Sequence, residues 1–146
     1  MNTHAAPVAN LPIDPVFAAS GLRVGIDVVQ ISAIAESLAK FGDHFAHRIF
    51  CADEIAYAFA APTLTAQRLA ARFAAKEAAF KAFGLSEAGI SWRDIEVRKS
   101  ADGSCTLALH RLAAEAAQAS GCTEIALSLS HDGDYATAMV AAITPR

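Results

Sequence analysis

The chain has little that would place it in a membrane or outside the cell. It lacks any apolar run near the roughly 18 residues that a membrane-spanning helix needs. Its first twenty residues contain no Lys or Arg, so they lack the charged start of a secretory signal, and their three prolines predict a flexible arm over 1–21. Cysteine is scarce, with three residues at irregular spacing. This pattern indicates reduced thiols in a cytoplasmic protein rather than a disulfide framework.

Charged residues are also few. They make up 18% of the 146 residues, against 54% hydrophobic residues, which excludes a disordered chain and a coiled coil. The net charge of −3 argues against a nucleic-acid-binding surface. The length suits one domain that buries about two-thirds of the surface of its unfolded chain. We expect this domain to span 22–146.

Hydrophobic periodicity and turn signals predict helices between antiparallel strands. The segment "LRVGIDVV" predicts a strand with Val24, Ile26 and Val28 on one face, and "SAIAESLAKFG" predicts a helix capped by Ser32 and ended by Gly42. The turns "SADGS" and "HDGD" each indicate a hairpin. We therefore expect an α+β fold in which a small antiparallel sheet packs with a long central helix and shorter helices.

The long helix, "LTAQRLAARFAAKEAAFKAFG", has charges on the side that it should bury. At about 100° per residue its large apolar side chains form one stripe. The stripe consists of Leu69, Phe73, Phe80 and Phe83. Lys76 lies in the middle of this stripe, and three more charged residues lie along its edges, namely Arg72, Glu77 and Lys81. The opposite face holds alanines, so we expect another helix or subunit to approach it closely.

If both faces are covered, these charges need partners, because an unpaired buried ion is costly. A divalent cation with phosphate would supply them, since carboxylates bind the cation while Lys and Arg bind phosphate oxygens. Asp27 is a second candidate acid, because Asp is disfavoured inside a strand. Simpler interpretations stay open. Asp27 could face water at a sheet edge, Glu77 and Lys81 could form a surface pair worth ~0.3–0.5 kcal/mol, and His131 could be a solvated turn residue.

A zinc site is the other metal interpretation. His44, His47 and Cys51 have a spacing that could place three ligands on one helical face. No fourth ligand is evident from the spacing, and the same residues make a plausible helix surface. We therefore set zinc aside.

Four segments taken together resemble one enzyme family. In chain order they are "GIDVVQISAI", "RFAAKEAAFKAFG", "ISWRDIEV" and "LSLSHDGDYATAMV". This set resembles the holo-acyl-carrier-protein synthase type of 4′-phosphopantetheinyl transferase over about 24–143. The resemblance implies transfer of the 4′-phosphopantetheine group of coenzyme A to a serine of an apo acyl carrier protein, of the fatty-acid or polyketide type. It also implies release of adenosine 3′,5′-bisphosphate, and a homotrimer with its sites at subunit interfaces.

The resemblance also implies roles for individual residues. Asp27 and Glu77 would hold Mg²⁺ on the coenzyme's pyrophosphate, and Lys81 would contact phosphate beside the metal, so these three are the expected catalytic residues. Arg72, Lys76 and His131 match family positions that lie near the phosphates of the coenzyme. Such a site suits phosphoryl transfer, which needs alignment and charge neutralisation. The nucleophile is the partner's serine, and its proton would pass to Glu77 or to a metal-bound water.

Two departures from the family pattern leave a rival open. Gln30 and Ala33 stand where the family usually has Glu and Arg, and Ser104 and Cys105 stand where it commonly has Lys and Pro. We therefore expect weaker metal affinity, altered contacts to the nucleotide end, and a carrier less acidic than usual or slower binding to an acidic one. A weaker positive surface is available from Lys40, His44, His47 and Arg48. The rival is a non-catalytic paralogue that binds carrier protein or coenzyme A.

Overall fold

The computed structural model describes residues 20–85 and 89–145. In these residues the strands are β1 (Ser20–Gln30), β2 (Ile95–Lys99), β3 (Cys105–Leu109), β4 (Glu124–Asp132) and β5 (Tyr135–Pro145). The α-helices are α1 (Ile31–Phe41), α2 (Asp43–Ile49), α3 (Ala52–Phe59), α4 (Thr65–Phe83) and α5 (Arg111–Ala119). Short 3₁₀ turns span Pro62–Leu64 and Trp92–Asp94. None of the described helices is both long and apolar enough to cross a bilayer.

The strands form two antiparallel sheets, one with the order β1-β5-β4 and one with the order β2-β3. The α+β prediction and both predicted hairpins are therefore confirmed. Gly103 and Gly133 have φ of 89° and 53° in the two hairpin turns, a conformation that glycine adopts without strain. Strand β1 begins at Ser20, so regular structure includes the last two residues of the expected arm. Residues 1–19 lie outside the described part of the chain, and the arm stays a prediction there.

The alanine face of α4 packs on the sheet of its own chain. Ala74, Ala75 and Ala78 are completely buried. Gly25 of β1 lies so close to α4 that a Cβ placed on it would be 1.9 Å from the carbonyl oxygen of Ala78. The expectation that another helix or subunit covers this face is therefore wrong, because small residues on both elements let helix and strand approach closely within one chain.

The apolar stripe of α4 is covered by the turn before β2. The ring of Trp92 lies 5.3 Å from that of Phe73 and 4.8 Å from that of Phe80, measured between centroids. Leu69 is completely buried. Both faces of α4 are thus covered within one chain, so the charged side chains that lie among them need partners, as the sequence predicts.

The outer face of β1 and the adjoining part of β5 form an apolar and exposed surface. Val24, Ile26 and Val28 do share one face of β1, but they are 53%, 60% and 57% exposed, so this face is not part of the core. Leu22 on the same strand and Met139 on β5 extend the patch, at 71% and 46% exposed. A contiguous apolar patch of this kind on a folded chain marks a contact surface.

Helix α1 is capped by a distant residue rather than by Ser32. The helix begins at Ile31, and the backbone N–H and the hydroxyl of Ser32 donate to the Asp134 carboxylate at 2.9 and 2.6 Å. The Ser32 prediction was therefore wrong, because an acid from the β4–β5 turn takes the capping position, where the helix dipole favours a negative charge. Gly42 follows the end of the helix with φ 57°, as predicted.

Candidate active site

Asp27 faces α4 and forms an ion pair with Lys81. It lies two residues after Gly25 on the same face of β1, so the close approach of the helix at Gly25 brings Lys81 within reach. The ammonium of Lys81 donates to the Asp27 carboxylate and to the carbonyl of Ile26, both at 2.9 Å. Although β1 is an edge strand, the Asp27 side chain is only 17% exposed. Asp27 is therefore not a solvated edge residue.

Glu77 lies one helical turn before Lys81 and faces a cleft. Together with Phe80, Ile90 and Trp92 it lines a space of about 270 Å³. Burial raises the pKa of Glu77, the charge of Asp27 raises that pKa further, and Lys81 opposes both. Lys81 is ion-paired with Asp27, so the simple i,i+4 surface pair with Glu77 does not describe this site. The fold thus brings two acids and one lysine together from β1 and α4.

The donor set fits a divalent cation that is shared with phosphate. In the described residues no cluster of three or more His, Cys, Asp or Glu side chains could hold a metal alone. Mg²⁺, however, is usually bound by one or two carboxylates together with substrate phosphates and waters. Burial is the main cause of the raised pKa of Glu77, and the negative charge of Asp27 adds to it. A cation between the two carboxylates would relieve their repulsion.

A second group of charges surrounds Tyr57 of α3. The guanidinium carbons of Arg68 and Arg72 lie 4.1 and 4.3 Å from the ring centroid, and the Lys99 ammonium lies 4.9 Å away. The Lys99 ammonium donates to the Tyr57 hydroxyl at 2.8 Å, and this hydrogen bond is the main reason that the pKa of Tyr57 is lowered. These side chains and His131 line a cleft of about 370 Å³. The cleft is basic.

Arg72 is the most deeply buried of these cations. It is 4% exposed, and burial lowers its pKa. Its Nε has no hydrogen-bond partner within the described residues, whereas one terminal nitrogen donates to the Arg68 carbonyl at 3.3 Å. A buried donor without a partner is unfavourable, so the group is ready to bind an acceptor.

Lys76 belongs to neither group. Its side chain is completely buried and its ammonium lies 2.7 Å from the Glu54 carboxylate. The ammonium also donates to the carbonyls of Trp92 and Ile95. In this arrangement Lys76 has no donor available for a phosphate of the coenzyme.

Apart from Lys76, the predicted site residues therefore lie in two places. Asp27, Glu77 and Lys81 lie together near the end of α4, whereas Arg72 and His131 line the basic cleft nearer its start. Residues 72 and 81 are nine apart, which corresponds to about 13 Å along a helix. The sequence identifies the individual residues, but it does not show that they form two separate groups.

The sequence reasoning missed part of the basic cleft. Arg68 precedes Arg72 by one helical turn, so the i,i+4 spacing was a signal that could have identified it. Tyr57 and Lys99 carry no such signal, because they reach the cleft from α3 and β2 only after folding. The two residues after Gly103 differ from the family pattern. Ser104 donates to the Asp102 carboxylate and stabilises the turn, whereas Cys105 lines the basic cleft.

Two of the three residues that have a zinc-ligand spacing make other contacts. The Nδ1 atom of His47 lies 2.9 Å from the carbonyl of Asp43, and the Cys51 thiol donates to the carbonyl of Arg93 at 3.3 Å. Burial raises the pKa of Cys51 to about 11, so its thiol is protonated at neutral pH. His44 is exposed on α2. These contacts give no support to a shared metal.

Comparison of the sequence with known proteins identifies one enzyme family. The family model described as the 4′-phosphopantetheinyl transferase superfamily matches residues 23–140. The holo-[acyl-carrier-protein] synthase of Koribacter versatilis is 43% identical over 82% of this chain and 95% of its own length. That of Carboxydothermus hydrogenoformans is 44% identical over 79% and 92%.

Solved structures of proteins from the same family superpose on this chain. The ACPS–CoA complex of Chronobacterium ammoniagenes superposes with a TM-score of 0.76 at 34% identity, over 86% of this chain and 99% of that one. Helicobacter pylori holo-[acyl-carrier-protein] synthase in complex with coenzyme A gives a TM-score of 0.70 at 28% identity, over 80% and 96%. The chain thus has the sequence and the fold of one enzyme group. It belongs to the 4′-phosphopantetheinyl transferase superfamily and, within it, to the holo-[acyl-carrier-protein] synthases.

Proposed function

We propose that this chain transfers the 4′-phosphopantetheine group of coenzyme A to a serine of an apo acyl carrier protein and releases adenosine 3′,5′-bisphosphate. The observation that carries the proposal is the cluster formed by Asp27 of β1 with Glu77 and Lys81 of α4, the helix that also borders the basic cleft. Two acids and a lysine suit a cation and a pyrophosphate, whereas a basic cleft suits the remaining phosphate of a nucleotide. Two of the similar structures were solved with coenzyme A.

The basic cleft supports binding of the nucleotide end of coenzyme A. Arg68, Arg72 and Lys99 place three positive charges around one phenol ring. A phosphate dianion would accept hydrogen bonds from such donors and neutralise their mutual repulsion. We therefore assign Arg72 and His131 to the coenzyme phosphates, as the resemblance implies, and add Arg68 and Lys99. We do not assign Lys76 there, because its ammonium is buried against Glu54.

Asp27 and Glu77 would hold Mg²⁺. When bound, this ion supplies charge neutralisation on the pyrophosphate and a template for the two substrates. Lys81 would neutralise phosphate charge beside it, because its side chain is 54% exposed while its ammonium pairs with Asp27. A chelator should abolish turnover, and added Mg²⁺ should restore it.

At phosphorus the reaction makes one P–O bond and breaks one, and the proton of the serine hydroxyl passes to a base. The serine oxygen of the carrier bonds to the phosphorus next to the pantetheine arm, and the bridging P–O bond of the pyrophosphate breaks. The bridging oxygen leaves with adenosine 3′,5′-bisphosphate. Glu77 faces the cleft, whereas Asp27 is occupied by Lys81, so Glu77 is our proposed acceptor of the serine proton. In-line alignment and neutralised charge supply the rest of the rate enhancement.

We propose a homotrimer whose contact surface includes the exposed apolar face of β1 and β5. Leu22, Val24, Ile26 and Val28 form an apolar row on β1, which would be unfavourable in water. Burying it between subunits would also place sites near the interfaces. Sedimentation equilibrium tests this, and a single-chain mass at micromolar concentration would contradict it. Free thiols at all three cysteines support the proposed cytoplasmic location.

The carrier surface is proposed on α1 and α2, whose basic side chains are exposed. These side chains are Lys40, His44, His47 and Arg48. Ala33, which replaces the family's Arg, is also exposed on α1 and provides no charge. We therefore expect slow binding to a strongly acidic carrier, because rim charges mainly set the encounter rate. Measuring kcat/KM for several apo-carriers over a salt series tests this, and fast, steeply salt-dependent transfer to an acidic carrier would contradict it.

The decisive experiment incubates the protein with coenzyme A, Mg²⁺ and an apo-carrier, and then weighs the carrier by mass spectrometry. A carrier heavier by one phosphopantetheine group, with adenosine 3′,5′-bisphosphate in the supernatant, supports the transferase. An unchanged mass across a broad carrier panel, with coenzyme A still bound, would instead support the non-catalytic paralogue.

A further inference from the structure

Lys76 and Glu54 form an ion pair in which every ammonium proton has an acceptor. Both side chains are 0% exposed, and their charged atoms are 2.7 Å apart. The Lys76 ammonium also donates to the carbonyl of Trp92 at 3.2 Å and to that of Ile95. An ammonium has three protons, so its bonding capacity is filled by protein atoms.

The Glu54 carboxylate also accepts hydrogen bonds from two backbone N–H groups. One oxygen accepts from the backbone N–H of Cys51 at 2.9 Å as well as from Lys76, and the other accepts from the N–H of Val97 at 3.1 Å. The pair thus joins the start of α3, the middle of α4, the Trp92 turn and strand β2. The Trp92 turn leads directly into β2, whereas α3 and α4 are separate segments of the chain, and all of them meet at two charged side chains.

This arrangement is incompatible with a phosphate-binding role for Lys76. To reach a phosphate the ammonium would have to leave Glu54, and the buried carboxylate would then be uncompensated. It would also leave the carbonyls of Trp92 and Ile95 without their donor. Lys81, which is partly exposed on the same helix, can contact phosphate without such losses.

The Lys76–Glu54 pair does, however, contact one residue of the candidate active-site cleft, Trp92. Lys76 holds the carbonyl of Trp92, and the ring of Trp92 packs on Phe80 at 4.8 Å. Trp92, Phe80 and Glu77 line the same cleft. Trp92 is therefore fixed to α4 through its backbone and through its ring, on either side of the turn of helix that carries Glu77.

We propose that Lys76 and Glu54 are positioning residues that hold Trp92 against α4 and thereby fix the cleft in which Glu77 acts. The proposal rests on the proposed function only for the role of Glu77. It differs from the role that the resemblance implies for Lys76, and it gives Glu54 a role that the sequence did not indicate.

A double-mutant cycle separates positioning from phosphate binding. The variants are Lys76→Met, Glu54→Gln and the double substitution. If the pair positions the cleft, each single variant lowers kcat by about tenfold to hundredfold, since small misplacements of reacting groups have effects of that size. The KM for coenzyme A should change by less than about threefold. The double variant should be no worse than the single ones, because both remove the same unit.

The opposite pattern would overturn the proposal. If Lys76 binds phosphate, Lys76→Met raises the KM for coenzyme A, while Glu54→Gln leaves it unchanged or lowers it by freeing the lysine. Should a single variant fail to fold, the double variant and Lys76→Arg remain informative. Removing a buried pair together is often tolerated, whereas removing one partner is not. Wild-type kcat in a folded double variant would also refute the positioning role.

Fluorescence gives a readout that needs no activity. Trp92 is the single tryptophan of the chain, so intrinsic emission reports its surroundings alone. Lys76→Met and Glu54→Gln should both shift the emission to longer wavelength and increase quenching by acrylamide. Arg98→Gln is the matched control, because it removes an exposed side chain of β2 that pairs with Glu96 and not with Glu54 or Lys76, and its emission should match the wild type.

The two readouts distinguish failure of the proposal from failure of the proposed function. Unchanged Trp92 emission in both folded variants would overturn the positioning role whatever the activity. A wild-type protein that transfers nothing to any carrier would contradict the proposed function, while the emission shifts would still test whether the pair holds Trp92.

Discussion

Gly25→Ala should weaken the fold and the active site together. Gly25 is where β1 touches α4, and an added Cβ would lie 1.9 Å from the carbonyl oxygen of Ala78 and 2.8 Å from the nitrogen of Ala82. An ordinary contact begins at 3.4 Å, so helix and strand would have to separate by about 1.5 Å at this point. Both clashing atoms belong to the backbone, so no side-chain rotation can relieve them.

The expected loss is about 3 kcal/mol or more in the free energy of unfolding, at the upper end of overpacking effects. Glu77 and Lys81 lie beside the clash on α4, and Asp27 lies two residues from Gly25. A separation of this size between the two acids should lower kcat by about a hundredfold in any protein that stays folded.

Urea unfolding at one fixed protein concentration measures the stability, and the carrier mass assay measures kcat. Gly21→Ala is the matched control on the same strand, since its Cβ would lie 3.0 Å from the Thr144 carbonyl oxygen, away from α4. We expect it to cost about 1 kcal/mol or less, because a shift of a few tenths of an ångström suffices. A Gly25→Ala protein as stable and as active as this control would refute the packing argument.

Three further predictions concern the site and the assembly. Glu77→Gln should abolish transfer in the mass assay, and retained turnover would show that the metal binds elsewhere. Because the pKa of Glu77 is raised in the folded chain, its ionised form lowers the free energy of unfolding at a pH above that pKa. Without a divalent cation the variant should therefore melt at a slightly higher temperature than the wild type at pH 7. Lys99→Gln should raise the KM for coenzyme A by about tenfold to hundredfold, because a lost charge-assisted hydrogen bond costs ~1.5–3 kcal/mol. Arg98→Gln should leave this KM unchanged, and equal KM values for the two variants would show that Lys99 does not bind the coenzyme. Ile26→Lys should give a single-chain mass by sedimentation, and an undisturbed oligomer would show that the sheet face is not the interface.

The order of helices and strands could be predicted because it depends on local patterns. The 3.6-residue period of α4 and the glycine turns of both hairpins identify themselves within a few residues. The cap of α1 could not be predicted, because Asp134 reaches Ser32 from the other end of the chain. The same limitation explains why the sequence predicted another helix or subunit, rather than the sheet, against the alanine face of α4. Which surface covers a small-residue face depends on the path of the whole chain.

The sequence by itself determined the residue types of the site. Asp27 inside a strand, and Glu77 and Lys81 one turn apart on a helix, are local features that need no tertiary structure to be recognised. A buried stripe that contains a lysine also predicts that this lysine has a partner.

Tertiary structure decided which partner each charge has. Lys76 pairs with Glu54, Lys81 pairs with Asp27, and the basic cleft gathers Tyr57 from a separate helix. Ion pairing and desolvation depend on distances of a few ångströms between segments that are tens of residues apart. Periodicity fixes the direction of a side chain within its own element, but only the packed chain determines what lies in that direction.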